Sequence, residues 1–154
     1  MPLTVEIPGR ETLALHDLLL DQNGTLTDRG ELIDGVAERL AQAKAVLQVH
    51  LLSADTFGTL DQLAIRLGIE AHRVRTGAEK EHFLDGLDPR GCVAIGNGTN
   101  DERMLRAAAL GIAVLGPEGT STAAMMAAHV VCGSILDALD LLLDTRLLVA
   151  TLRL

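Results

Sequence analysis

The segment Leu18-Leu19-Leu20-Asp21-Gln22-Asn23-Gly24-Thr25-Leu26-Thr27 runs an apolar stretch into one acid and a glycine turn. A carboxylate at the carboxyl end of a buried strand stands where open α/β sheets bind their ligands. Gly24 permits a sharp reversal that turns backbone N–H groups towards whatever the carboxylate attacks. Asn23-Gly24 is equally the signature of a plain β-hairpin, so the segment alone leaves both readings open. Three further sites bear on the choice. The apolar run Leu47–Leu52 ends in Ser53 and Ala54, Lys80 follows the Thr76-Gly77 turn, and Gly96-Asn97-Gly98-Thr99-Asn100-Asp101 is a second polar glycine turn after an apolar run. Singly, each has an ordinary explanation: Ser53 as a turn residue, Lys80 as a solvated helix residue, Asn100 as a helix N-cap. In this order, all at strand ends, they fall on one edge of a right-handed doubly wound sheet. That set suits phosphoryl transfer, with Asp21 attacking, Ser53 and Lys80 binding phosphoryl oxygens, and the Asn97–Asp101 cluster helping to hold a hard cation.

The elements that must carry these residues alternate along the chain. Strands are predicted at Leu3–Ile7, Leu15–Leu20, Val46–Leu52, Glu70–Val74, Cys92–Ile95, Ile112–Leu115 and Val130–Cys132. Helices are predicted at Asp34–Ala45, Thr59–Leu67, Glu79–Leu87, Asp101–Ala109, Ser121–Ala128 and Ile135–Leu143, from apolar residues at helical spacing. This alternation predicts an α/β fold, a doubly wound, Rossmann-like parallel sheet covered by helices on both faces. No internal repeat or linker breaks it, so residues 1–154 are expected to form one domain. The apolar stretch Leu147–Leu154 is expected to dock on the domain or on a partner.

Composition narrows the chemistry. The chain has 154 residues, a hydrophobic fraction of 48%, two aromatic side chains (Phe57 and Phe83) and neither Trp nor Tyr. Its core must be aliphatic, and it offers no platforms for stacking bases. A formal net charge of −8 repels phosphate backbones, so no nucleic-acid partner is expected, and action on phosphate esters calls for a divalent cation. Cys92 and Cys132 stand in apolar contexts without Cys/His ligand spacing and read as inert core thiols of a reduced protein. With no leader-like start and no membrane-length apolar run, the expectation is a cytoplasmic protein without a membrane partner.

The four motifs resemble those of the haloacid dehalogenase (HAD) superfamily of phosphohydrolases, and more closely its soluble P-type-ATPase-like branch. Asp21–Thr27 resembles the first motif, and its Thr25-Leu26-Thr27 ending is similar to the P-type ATPase version. Ser53 corresponds to the second motif, Lys80 to the third and Gly96–Asp101 to the fourth; the likeness covers nearly the whole chain. The resemblance implies that Asp21 is the nucleophile, forming an aspartyl-phosphate. It implies Mg2+ held by Asp21, the backbone carbonyl of Asn23 and Asp101, with Asn97 contributing an amide oxygen or acting through water. It further implies that Ser53, Lys80, Asn100 and the backbone N–H groups around Gly24 and Ala54 bind the phosphoryl oxygens.

Two departures bear on activity. Asn23 stands where the family phosphatases have the Asp that protonates the leaving group and later activates water. An amide does neither, and losing a general acid/base costs about 10²–10⁴ in rate, so slow turnover is expected. Asn97 replaces another Asp and removes an anionic metal ligand. Both are Asn-Gly pairs, so deamidation to Asp is expected on ageing. The gaps of 32 positions from Asp21 to Ser53 and 27 from Ser53 to Lys80 leave no room for a cap domain; only Asp28–Ile33 is expected to act as a flap. An open site implies a phosphorylated small molecule or a macromolecule as substrate, or a lid supplied by a second copy in a homo-oligomer. With no stretch in these residues that reads as transmembrane helices or a nucleotide-binding insertion, ion pumping is not expected. The competing reading is a weak or inactive HAD-fold module that binds phosphate for regulation.

Overall fold

In the computed structural model, which describes residues 2–154, a short antiparallel pair opens the chain: β1 (Leu3–Val5) against β2 (Leu13–Leu15), with Leu3 facing Leu15. The apolar run expected as one strand from Leu15 to Leu20 is therefore split. At His16 the chain leaves β1, its N–H bonding Gly91 O at 2.7 Å, and continues as β3 (Asp17–Asp21). Both halves are apolar, so periodicity alone does not mark this change of partner.

After β3 come a two-stranded hairpin, β4 (Thr27–Asp28) and β5 (Glu31–Leu32), then α1 (Val36–Ala43), β6 (Gln48–Ser53), α2 (Leu60–Leu67), β7 (Glu70–Arg73) and α3 (Gly77–Asp85). The chain then crosses back to β8 (Cys92–Gly96), followed by α4 (Glu102–Ala107), β9 (Leu110–Val114), α5 (Thr122–Ala127), β10 (Val130–Cys132), α6 (Ile135–Leu143) and α7 (Thr145–Leu152). Six parallel strands form one sheet in the order β10-β9-β8-β3-β6-β7.

Alternate residues of each central strand face opposite layers, because successive side chains of a strand point to opposite sides. Leu18, Leu20, Val49, Leu51, Val93 and Ile95 pack with α1, α2, α6 and α7. Leu19, Leu52, Ala94 and Ala113 meet α3, α4 and α5 on the other face, where Ala108, Ala124 and Ala127 keep the layer thin. The expected doubly wound α/β sheet is the one observed. Stretch 147–154 docks on the chain itself: Leu148 and Leu152 are buried, Arg10 Nε donates to Leu152 O at 2.6 Å, and Leu154 N–H to Pro8 O at 3.1 Å.

Both cysteines are buried free thiols, and burial pushes Cys92 up to about 12 and Cys132 up to about 11, which leaves them inert as nucleophiles. Among the described residues no helix is long and apolar enough to cross a membrane. The chain departs from β3 in one direction to β6 and β7, then returns to β8 on the other side. A crevice opens where such connections diverge, outside the carboxyl ends of β3 and β8.

Candidate active site

Asp21 is the last residue of β3 and lies at that crevice. Beyond it the chain turns tightly: Gly24 N–H bonds Thr27 O at 2.9 Å, while the N–H groups of Thr25, Leu26 and Thr27 converge on Gln22 O. Gly24 has φ +76°, and a Cβ there would meet the side chains of Glu118 and Asn97. The Asn23-Gly24 turn thus reverses the chain out of a parallel strand; the antiparallel hairpin lies after it, in β4–β5. Because Gly24 N–H is spent on Thr27, it does not serve as the phosphate donor expected of it. The Asn23 N–H takes no part in that turn.

A cavity of about 260 Å³ opens over the strand ends, lined by Asp21, Asn23, Ser53, Ala54, Asn97 and Asn100 among the expected residues. Ser53 ends β6, and its Oγ accepts the Asp55 N–H at 2.9 Å, which leaves the hydroxyl proton to donate. Asn97 and Asn100 follow β8, in the short turn that leads into α4.

Lys80 and Asp101 stand behind this lining rather than in it. Lys80, near the start of α3, is 1% exposed, and its Nζ donates to Asp21 Oδ1 at 2.9 Å and to Asp101 Oδ1 at 2.7 Å. The solvated-helix explanation for Lys80 fails on that burial. Asp101 is wholly buried, and its Oδ2 accepts the N–H groups of Asn97 and Gly98, both at 3.0 Å. Both oxygens of Asp101 are engaged, and through these bonds it anchors the Asn97 turn and Lys80. Lys80 is not part of the cavity lining; its two bonds aim Asp21 and join the two carboxylates.

Burial, and then the charge of Asp101, push the Asp21 carboxyl up to about 7, against the opposing pull of Lys80. Burial lowers the Lys80 ammonium, but Asp21 and Asp101 together outweigh it and hold its pKa above the usual lysine value. Lys80 thus offsets part of the negative charge of the two carboxylates it bridges. Asp55, beside Ser53 at the end of β6, accepts the Leu60 N–H at 3.0 Å and pairs with Arg73 at 3.1 Å.

The donor set fits Mg2+ in kind. Thr25 Oγ1 lies 3.0 Å from Asp21 Oδ2 and 3.2 Å from Asn97 Oδ1, and its single proton serves only one of them at a time. Asn23 Oδ1 is buried with no partner. Oxygen ligands of this type suit a hard cation, although Asp21 is the one anionic side chain among these three.

Gly98 of the same motif lines the cavity as well, and sequence reasoning passed over Thr56, Phe57 and Glu118, which also line it. Glu118 lies just past the end of β9, so the rule that found Asp21 and Asn97 at strand ends would have found it too. Its loop closes onto the Asp21 turn: a Cβ at Gly116 would collide with Gly24 O, and Asn97 Nδ2 donates to Gly119 O at 3.0 Å. The β4–β5 hairpin comes to the cavity rim through Gly30, where a Cβ would touch Phe57 at 3.4 Å. Deamidation requires the following residue's amide nitrogen to attack the Asn side chain. Here Gly24 N–H is held by Thr27 O and Gly98 N–H by Asp101 Oδ2, so the folded chain resists it at both pairs.

Comparisons with known proteins agree with this architecture. No family profile matches the chain. An uncharacterised protein of Methanocaldococcus jannaschii is 49% identical over 61 residues, which is 40% of this chain and 66% of its own length. A second uncharacterised protein of that organism is 46% identical over 39 residues, 25% of this chain and 89% of its own. The chain thus spans just under two thirds of the first relative. Among solved structures, the cobalt-bound deoxy-D-mannose-octulosonate 8-phosphate phosphatase of Haemophilus influenzae matches with a TM-score of 0.70 and 17% identity over 86% of this chain and 89% of its own. The Moraxella catarrhalis 3-deoxy-D-manno-octulosonate 8-phosphate phosphatase, in complex with magnesium, phosphate and KDO, matches at 0.65 and 17% over 90% and 94%. A phosphoserine phosphatase in its apo form matches at 0.67 and 14% over 84% and 98%. At these identities the likeness is one of fold.

Proposed function

We propose that this chain, which belongs to one family with the second of the archaeal proteins and shares its fold with HAD-superfamily phosphatases, is a slow phosphohydrolase that works through an aspartyl-phosphate on Asp21. One observation carries the reading: a wholly buried lysine clamps Asp21 between the cavity and a second buried carboxylate. A stability-driven core has no use for such a group, because an apolar replacement of similar volume is often neutral or better. A nucleophile that must be aimed, and drawn back towards its ionised form against the effect of burial, does.

An Asp21 carboxylate oxygen attacks phosphorus, and the bond from phosphorus to the leaving oxygen breaks. Ser53 Oγ–H, the Ala54 region and Asn100 line the space where the transferring oxygens would sit. Water then attacks phosphorus, releasing inorganic phosphate and restoring the carboxylate. Mg2+, held by Asp21, Asn23 and Asn97, would neutralise the phosphoryl charge in this acidic chain. Lys80 keeps Asp21 oriented, and its third N–H is left for a phosphoryl oxygen.

Asn23 supplies no proton to the leaving oxygen, so the reading favours substrates whose leaving group departs as an anion, such as aryl or acyl phosphates. The Thr25-Leu26-Thr27 ending supports a place on the soluble P-type-ATPase-like branch, where slow phosphoenzyme turnover is in keeping with Asn23. The cavity's open rim supports a bulky or macromolecular phosphorylated substrate, with the β4–β5 hairpin as flap or a second copy as lid.

The test is phosphate release from an aryl phosphate at high enzyme concentration, with and without Mg2+, beside Asp21→Asn. Mg2+-dependent release that the substitution abolishes is the expected result. Release no greater than the control's overturns it and favours the second reading, a phosphate-binding regulatory module, to which Asn23 and Asn97 both lend support.

A further inference from the structure

A second cluster of chemically capable side chains lies on β6 and the edge strand β7, outside the lining of the Asp21 cavity. His50 on β6 and Glu70 on β7 are direct cross-strand partners, and His72, two residues further along β7, faces the same side. Ligand atoms of the three all lie within 4.8 Å of one another. His50 is 5% exposed, and its Nε2 lies 2.9 Å from Asp17 Oδ1. An ionised carboxylate only accepts, so Nε2 carries the proton and Nδ1 of the neutral ring presents a lone pair.

That Nδ1 is buried without a hydrogen-bond partner, and so is His72 Nε2. Two buried, unpartnered imidazole nitrogens beside one carboxylate are costly unless something binds them. A proton on His50 Nδ1 does not resolve the cost: Glu70 Oε2 is 3.3 Å away, but the contact lacks hydrogen-bond geometry. Phe83 of α3 packs over both rings, with centroids 5.3 Å from His50 and 4.3 Å from His72, and keeps water off that side.

We propose that His50, His72 and Glu70 form a transition-metal site suited to Zn2+, distinct from the Asp21 cavity. Ligands about 2.0–2.1 Å from a tetrahedral zinc lie about 3.3–3.4 Å from each other. The His50 Nδ1 to Glu70 Oε2 distance of 3.3 Å already matches one edge of that tetrahedron, and His72 Nε2 to Glu70 Oε2, at 3.7 Å, needs a shift of a few tenths of an ångström. Glu70 and His72 are 58% and 33% exposed, so β7, the sheet's edge strand, has room to make it. Asp17 on the far nitrogen of His50 is the outer-shell carboxylate that metal-binding histidines usually carry. Water completes the fourth position. Two imidazoles and one carboxylate select zinc or a similar borderline metal, whereas the oxygens of the Asp21 cavity select a hard one. Bound there, the metal pins the exposed edge strand to β6, a place where proteins otherwise need protection against edge pairing.

The test is zinc titration followed by calorimetry and native mass spectrometry, in excess Mg2+ so that the oxygen site is saturated. The wild-type protein is expected to take up one Zn2+. His72→Gln and Glu70→Gln, both at partly exposed positions, should bind it about 100-fold more weakly, and Asp17→Asn about 10–100-fold more weakly. Asp21→Asn should leave zinc affinity unchanged, and far-UV circular dichroism should show each variant folded. Uptake lost in Asp21→Asn but kept in His72→Gln would put the zinc in the other cavity and overturn the proposal. So would failure of the wild-type protein to bind zinc below about 100 μM.

Discussion

Replacing Lys80 with methionine keeps the length of the side chain and removes its charge. Two buried carboxylates then lose a shared partner that lies 2.9 Å from one and 2.7 Å from the other. The losses are unequal. Asp101 keeps the Asn97 and Gly98 N–H groups, whereas among its hydrogen bonds Asp21 keeps only the Thr25 hydroxyl. Breaking a buried pair by deleting one member costs about 3–5 kcal/mol, against about 0–1 kcal/mol for an exposed pair. The metal-free protein should therefore lose about 3 kcal/mol or more of unfolding free energy at pH 8. In the wild type Asp21 titrates at about 7, already above its unfolded value of 3.8, so its native form binds the extra proton and stability falls as pH rises through that interval. Without Lys80 the native carboxyl titrates higher still. Below pH 7 both proteins keep the proton; above it the wild type releases it while the variant does not. The gap between them should widen by up to about 1.4 kcal/mol per pH unit above 7. Adding Asp21→Asn to Lys80→Met should recover part of the loss, with a coupling of about 1–3 kcal/mol. Urea unfolding at pH 6 and pH 8 in chelator, followed by circular dichroism because the chain has no Trp or Tyr, measures all of this. A loss below about 1 kcal/mol, equal at both pH values, would mean that Lys80 behaves as a solvated surface residue and would refute the reasoning.

Four further outcomes are expected. Asn23→Asp should raise the rate by about 10²–10⁴, and more for alkyl than for aryl phosphates, because it supplies the missing leaving-group proton; equal gains on both, or none, would argue against that role in steady-state assays. Asn97→Asp should tighten Mg2+ binding about tenfold or more by calorimetry, while the metal-free variant loses about 1 kcal/mol through the bond to Gly119 O; unchanged Mg2+ affinity would remove Asn97 from the ligand set. Leu148→Ala should cost about 2–5 kcal/mol in urea, since Leu148 is wholly buried, and a cost under about 1 kcal/mol would show the last helix to be loosely docked. Peptide mass spectra should show Asn23 and Asn97 intact in aged folded protein and converted only in denatured samples; equal conversion in both would contradict the protection assigned to the held Gly24 and Gly98 amides.

The order of strands and helices, and the edge on which the chemistry gathers, were legible in the sequence for a simple reason. Apolar periodicity and glycine turns are local signals, and a parallel doubly wound sheet converts strand order into position by a handedness rule. Asp21, Ser53, Asn97 and Asn100 reach one cavity because each stands at a strand's carboxyl end. What local signals do not carry is depth and pairing. Lys80 looks like any early helix residue until α3 packs its side chain between Asp21 and Asp101, and nothing local shows that the turn folds two N–H groups onto Asp101. The break at His16, which splits one apolar run into two strands with different partners, is set by β1 lying beside β2 and is invisible to periodicity. His50, Glu70 and His72 lie up to 22 positions apart, and it is the register of β6 against β7 that brings their ligand atoms together. The sequence by itself determined the layers and the edge of the sheet where Asp21 stands. The tertiary structure decided which polar groups are sealed from water and which face each other, because burial and cross-strand register exist only once distant segments have packed.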